Sequence, residues 1–242
     1  MNTEKHQITV SGLDVEVVRK AIKNLHLGVY PPHGRVRVAA PLRVGDNAVR
    51  LAVIGKLGWI KRQRAKYQGQ ERQSAREYVT GESHYFQGRR YRLNVVYQDG
   101  PARVSIRNNR TLDLFIQEGS DAARRRRVVL AWYRRQLKSM IPSLIEQYEA
   151  GIGVEVAEWG VKKMKTRWGT CNRKARRIWL NLELAKKPVQ CLEYIVVHEM
   201  VHLLEQHHND RFAELMRKFM PQWRLYREEL NRAPLAHENW MY

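Results

Sequence analysis

The chain has 242 residues, 43% of them apolar, which suffices for a real core in one large domain or two small ones and excludes a disordered protein. Lys and Arg number 44 against 24 Asp and Glu, a formal charge of +20, so polyanions are favoured partners, nucleic acid first among them. No stretch approaches the roughly 20 uncharged residues of a membrane span, and Met1–Val10 lacks a signal peptide's basic-then-apolar pattern, so the expectation is a cytoplasmic protein with no membrane partner.

From Gln7 to Gln117 the sequence runs in short alternating or β-branched stretches broken by turn residues. Val29–Val38 folds back around Pro31-Pro32-His33-Gly34, and Tyr91–Tyr97 leads into Asp99-Gly100-Pro101. Arg103–Arg107 and Thr111–Ile116 join through Asn108-Asn109-Arg110. All three read as hairpins. One helix interrupts them, Asp46–Tyr67, with Val49, Val53, Leu57 and Ile60 at helical spacing and Gly55 and Gly58 weakening it.

Beyond Gly119 the pattern turns helical. Ala122–Tyr148 carries Val128, Leu130, Trp132, Leu137, Ile141, Leu144 and Ile145, with Pro142 expected to kink or restart the helix. A strand pair fits Gly153–Glu158 and Arg177–Leu182, with Trp168-Gly169-Thr170-Cys171 between them. The next helix begins near Pro188, a favoured first position, and runs through His202. There is no internal repeat and no low-complexity linker. The fold class is therefore α+β, a β-rich amino-terminal region over residues 1–118 and a mainly helical region with a small sheet over 119–242, with a soft boundary that also allows one continuous domain. Cys171 and Cys191 form no C-x-x-C motif, and two reduced, packed thiols are expected.

The densest chemistry lies in His198–Phe212, H-E-M-V-H-L-L-E-Q-H-H-N-D-R-F. Residues four apart share a helical face, so His198 and His202 present two imidazoles to one point, a metal-chelating geometry. Glu199 projects at a different angle, toward the open side. In zinc hydrolases of this type such a Glu takes the proton of a water whose pKa the metal lowers toward about 7. A catalytic zinc takes three protein ligands. The third is expected to be His208, with His207, Glu214, Glu228 and Glu229 as alternatives. A straight helix would carry His208 roughly 15 Å along the axis, so the helix must break between Leu204 and His208. Metzincins turn there on a Gly. This chain has Glu205 at that position, although Asn209 and Asp210 also suit a turn. The apolar Ile195, Val196, Val197, Met200, Val201, Leu203 and Leu204 bury this helix, where three polar side chains would be costly without a shared partner such as a metal.

These residues carry a family resemblance. T-R-W-G-T-C over Thr166–Cys171, I-W-L-N-L over Ile178–Leu182, the run Tyr194–Glu205 and H-N-D-R-F over His208–Phe212 resemble, in order and spacing, the YgjP-like metallopeptidase domain. Arg35–Val38, Ala40-Pro41, Trp59-Ile60 and Gly88–Tyr91 are similar to that family's amino-terminal half. The resemblance implies a zincin-type fold related to the SprT-like and Wss1-like proteases, one Zn2+ held by His198, His202 and His208, and Glu199 as general base; it does not supply a substrate, and on the expected polypeptide substrate hydrolysis would proceed without a covalent intermediate. In zinc peptidases the strand before the active helix forms the rim of the cleft, which would turn Asn181 and its neighbours toward substrate; the alternative is that Trp168 and Trp179 in this segment simply pack. Arg211, His207, Tyr194 and Arg167 are candidate oxyanion donors.

Two basic clusters bear on partners. Val161–Lys187 holds ten Lys or Arg and one acid, Glu183, directly before the active helix. Arg124–Arg127 with Arg134, Arg135 and Lys138 share one helix with Trp132 and Tyr133, a mixture suited to DNA or RNA phosphates and unstacked bases. Either cluster could instead be a solvated face whose Arg stems cover apolar surface. The expected function is a zinc metallopeptidase, acting near nucleic acid if those clusters bind it. The alternative is a nucleic-acid-binding module with a structural or vestigial metal site, which Glu199 and the lack of an obvious fourth ligand argue against.

Overall fold

In a computed structural model, alternation of buried and exposed residues builds the first sheet; the structure describes residues 4–30, 34–68, 76–164 and 167–232. Strands β1 (Glu4–Val10), β2 (Leu13–Lys20), β3 (His26–Tyr30) and β4 (Arg35–Pro41) lie in the order β1-β2-β4-β3. β1 and β2 pair antiparallel through Ser11-Gly12, both at positive φ, the backbone that two-residue hairpins require. β3 and β4 form the expected antiparallel pair, but the turn at residues 31–33 lies outside the described residues. One face buries Ile8, Val15, Val17, Val36 and Val38 with Val49, Val53 and Ile60 from helices α1 (Asp46–Ile54) and α2 (Leu57–Gln68). His6 Nε2 lies 3.0 Å from Asp46, which also pairs with Arg19, tying α1 to the sheet. The expected single helix over Asp46–Tyr67 is thus two helices, parted at Gly55 and Lys56.

A second compact unit spans residues 76–233, while the first lies within residues 1–75. The boundary expected near residue 118 falls inside the second unit, because the sheet before it and the helix after it share one core. That sheet comprises β5 (Ser83–Phe86), β6 (Arg89–Tyr97), β7 (Arg103–Asn108) and β8 (Thr111–Ile116), ordered β5-β6-β8-β7. Both four-stranded sheets therefore run antiparallel, parallel, antiparallel, a topological repeat that the sequence does not display. The β7–β8 hairpin is as expected. Asp99-Gly100-Pro101 does not close a hairpin, however, since β6 pairs with β5 and β8. β8 is buried at Leu112, Asp113, Leu114 and Ile116 and takes the central position, leaving mostly exposed β7 at the edge.

Helix α3 (Ala122–Ile152) starts on Asp121, whose side chain accepts from Arg124 N, and continues unbroken through Pro142. Burial of Ile141 and Ile145 compensates the hydrogen bond the proline cannot make. A three-stranded sheet follows, β9 (Glu158–Lys162), β10 (Gly169–Asn172) and β11 (Arg177–Asn181), ordered β10-β11-β9. The strand expected at Gly153–Glu158 begins only at Glu158 and pairs parallel with β11, because Glu149 holds Val156 N (2.7 Å) in the turn that ends α3. A 3-10 helix (Leu182–Lys186) leads into α4 (Val189–Val201), followed by α5 (Asp210–Phe219) and α6 (Trp223–Arg232). The β5–β6 turn, Gln87-Gly88, donates to Ala185 O (2.9 Å) and Lys186 O (3.2 Å), and a Cβ on Gly88 would sit 2.8 Å from Pro188. The four-stranded sheet of this unit thereby fixes the start of α4. No helix among the described residues is long and apolar enough to cross a membrane.

Candidate metal centre

α4 is buried along most of its length, at Cys191, Leu192, Tyr194–Val197 and Met200–Val201, so its last turn is held rigidly. His198 and Glu199 occupy that turn, and His202 is its C-cap. The chain then turns back: Leu203 and Leu204 amides donate to Met200 and Val201 carbonyls, and Arg173, between β10 and β11, donates to the carbonyls of Leu203 (3.2 Å) and Leu204 (3.3 Å). No residue from Leu203 to His208 has positive φ, which is why Glu205 can stand where metzincins use Gly. The Glu205 carboxylate accepts from His207 N (3.0 Å) and its carbonyl accepts from His202 Nδ1 (2.9 Å). Asn209 then caps α5 by accepting from Phe212 N (2.9 Å).

The result brings His208 Nε2 to 3.0 Å from His198 Nε2 and 3.1 Å from His202 Nε2. A tetrahedral zinc with Zn–N of 2.0–2.1 Å separates its nitrogens by about 3.3 Å; these two separations are close to that, and all three ligand atoms lie within 4.8 Å of one another, a group that could hold one metal ion. The hydrogen bond from His202 Nδ1 also fixes the tautomer that leaves Nε2 with its lone pair facing the cluster. Burial, followed by repulsion from His202, His208 and Arg227, pulls the His198 pKa down to about 3; burial also lowers His202 and His208. All three rings are thus neutral at pH 7, as ligation requires. The Phe212 ring lies within 5.0 Å of all three ring centroids, and Tyr194 meets His198 edge-on at 5.7 Å.

Among the described residues these three are the one group that could hold a metal. The alternative ligands do not join it: Glu229 instead accepts from Gln190, 3.3 Å away. Glu199 is 4% exposed and has no ion pair among the described residues; burial pushes its pKa up to about 8, against the opposing effect of Arg167. Its carboxylate lies against β10, where a Cβ on Gly169 would sit 2.4 Å from Oε1. Sequence reasoning missed Gly169 as a positioning residue, and the contact explains the W-G-T-C segment. It also missed Arg173 and Arg227. Asn181 does not face a substrate: its amide is buried, donating to Met164 O (2.9 Å) and Arg167 O (2.8 Å) and accepting from Glu183 N (3.2 Å). It shapes the chain that leads to Gly169. Both cysteines are free thiols, raised to about 11 at Cys171 and about 12 at Cys191 by burial, which leaves neither as a ready thiolate ligand.

An α+β fold that brings three neutral imidazoles together beside a buried carboxylate fits the metal-dependent hydrolases as a class. The family model of the YgjP-like metallopeptidase domain matches residues 23–233, and the chain belongs to that family. Membership implies a divalent metal and supports metal-dependent peptide hydrolysis. No curated protein gives a match. Among solved structures, the chain is similar to the metallopeptidase zymogen of Pyrococcus abyssi abylysin, with 19% identity over 38% of this chain and 91% of that one, at a TM-score of 0.35.

Proposed function

We propose that the protein is a zinc-dependent metallopeptidase in which His198, His202 and His208 hold one Zn2+ and Glu199 is the general base acting on a polypeptide. The observation that carries this reading is the convergence of three neutral imidazoles, with His208 Nε2 at 3.0 and 3.1 Å from the other two, beside a buried carboxylate that has no ion pair among the described residues. When bound, zinc would polarise the scissile carbonyl, acidify the attacking water and lower the proton affinity of Glu199. Glu199 takes the water's proton on a carboxylate oxygen and passes it to the leaving amine nitrogen. The backbone of Gly169 keeps that carboxylate from turning away, and Phe212 holds the imidazoles in register. Arg227, whose charge reaches His198, His208 and Tyr194, joins Tyr194 and Arg167 as a donor for developing negative charge. The free thiols suit a reducing, cytoplasmic compartment. A structural zinc site closes its fourth position with a protein ligand; no fourth His, Cys or carboxylate joins the three among the described residues, which favours an enzyme over a binding module.

The test is Glu199→Gln measured beside His208→Ala. Glu199→Gln should keep about one zinc per chain and lose peptide cleavage by at least 100-fold, whereas His208→Ala should lose zinc. Equal cleavage by Glu199→Gln and the parent would remove Glu199 as the base. Undiminished zinc affinity in His208→Ala would remove the third ligand.

A further inference from the structure

We infer that α3 carries a binding surface for double-stranded nucleic acid, in which Arg124, Arg127, Arg134, Arg135 and Lys138 contact phosphates without reading sequence. At about 100° per residue the five fall within an arc of about 100°, opposite the buried Val129, Trp132, Tyr133 and Leu137. From Arg124 to Lys138 the stripe is about 21 Å long at 1.5 Å per residue. Arg124, Arg127, Arg135 and Lys138 are exposed, Arg134 is half-buried, and none forms an ion pair among the described residues. Asp121, which accepts from Arg124 N, is spent on the helix cap, and no acid occurs from Ala122 to Ile145.

Helix physics disfavours this arrangement. Arg124/Arg127, Arg135/Lys138 and Arg134/Lys138 are like charges three or four residues apart, and the first of these pairs also opposes the macrodipole at the amino-terminal end. A local violation repeated along one face is expected at a functional surface, where a polyanion offsets the repulsion. In the second basic segment, residues 161–187, five of the ten basic side chains are committed within the fold. Arg176 pairs with Glu155 (2.7 Å), Arg177 with Glu158 (3.1 Å) and Lys186 with Glu183 (2.7 Å), Arg173 holds backbone carbonyls, and Lys187 is buried over Trp168.

The same geometry selects the ligand. Trp132 and Tyr133, the aromatics that would have stacked on unpaired bases, are 4% and 1% exposed and pack against Phe86. Without a stacking platform, single strands gain nothing over a duplex of higher charge density. Only Ala131 interrupts the cationic arc, so the face lacks the bulky apolar groups that would insert into a bilayer.

The experiment is fluorescence anisotropy of the full chain with a short labelled DNA duplex, run in parallel with the matching single strand and with phosphatidylserine vesicles. Five phosphate contacts predict a slope of log affinity against log salt of about −4.5, or about 500-fold between 50 and 200 mM salt. Replacing all five residues by Gln should flatten the slope and weaken low-salt binding at least tenfold. A charge-matched control in the first unit (Lys23, Arg43, Lys56, Lys61 and Arg62 to Gln) should keep the slope. If the five-site variant does not fold, Arg134→Gln with Lys138→Gln alone should reduce the slope by about 1.8. Equal losses in the α3 and control variants would overturn the proposal in favour of a diffuse field. Tighter binding to the single strand, binding to vesicles in place of DNA, or no binding at low salt would each overturn it as well. Glu199→Gln should bind the duplex like the parent, which separates this surface from the peptidase reading.

Discussion

Replacing Gly169 with Ala adds one methyl group where the structure leaves no room. Its Cβ would stand 2.4 Å from Glu199 Oε1, 2.7 Å from Cγ and 2.8 Å from Cδ. An ordinary contact is about 3.5 Å, so the carboxylate must retreat by about 1 Å. Gly169 is not among the positive-φ residues, so its backbone accepts Ala and the steric contact is the whole perturbation. A shift of about 1 Å in a catalytic group costs about 100-fold in rate, or about 2.7 kcal/mol of barrier. The overpacked core should also lose about 1–3 kcal/mol of stability. The three atoms nearest the new methyl all belong to Glu199, which is not one of the three proposed ligands, so zinc stoichiometry should stay at that of the parent. The assay is kcat/KM on an unstructured polypeptide, with zinc content and urea unfolding measured on the same preparations. A folded, zinc-replete Gly169→Ala that cleaves within threefold of the parent would refute the placement of Glu199 against β10.

Further outcomes follow from the same contacts. Arg173→Met removes the donors to the Leu203 and Leu204 carbonyls and should weaken zinc affinity about tenfold, measured by competition with a chelator, with Arg173→Lys restoring only part because an ammonium cannot reproduce the fork. His84 is 2% exposed, beside Tyr78 and Glu82, and burial followed by the charges of Arg76 and Lys186 lowers its pKa to about 3. Because the folded pKa lies below the unfolded 6.5, the unfolded chain binds more protons between about pH 3 and 6.5, and stability falls as pH falls through that window. Between pH 7.5 and 5 this group alone should cost about 2 kcal/mol, so His84→Phe should lose that much less than the parent in urea unfolding at the two pH values; equal losses would show that His84 titrates normally.

The local elements were legible because their signals are local. The run from Pro188 to His202 is apolar on nearly every face and ends in chelating residues, and α4 spans Val189–Val201 with His202 as its cap. Strand partners were less legible, since alternation says which face is buried but not which strand lies alongside. β6 turns at Asp99-Gly100-Pro101 and yet pairs with β8, because β8 buries both faces and needs neighbours on both sides. The boundary expected near Gly119 marks a real change from strand to helix, but Trp132, Tyr133 and Leu137 of α3 share a core with Leu93, Leu112 and Leu114. Composition recorded the change of element. It could not record that both sides cover the same apolar surface.

At the site the same division separates ligands from the groups that place them. His198, His202 and His208 lie within eleven residues, so spacing alone brings them under suspicion. Gly169 and Arg173 act from thirty residues upstream, through a backbone approach and a pair of carbonyls, and neither effect has a residue-type signature. Glu205 shows the difference most sharply. A Gly at that position signals a turn through positive φ, and Glu205 in its place sets this chain apart from the metzincin pattern while leaving the source of the required turn open. The chain reverses without positive φ, with the Glu205 carbonyl accepting from His202 Nδ1 while its carboxylate accepts from His207 N. One residue therefore orients the second imidazole and shapes the segment that delivers the third, work that Gly could do only at its carbonyl. Glu205→Gly would keep the backbone contact to His202 and lose the carboxylate's hold on His207, so this turn depends on side-chain bonding where the metzincin turn depends on backbone freedom.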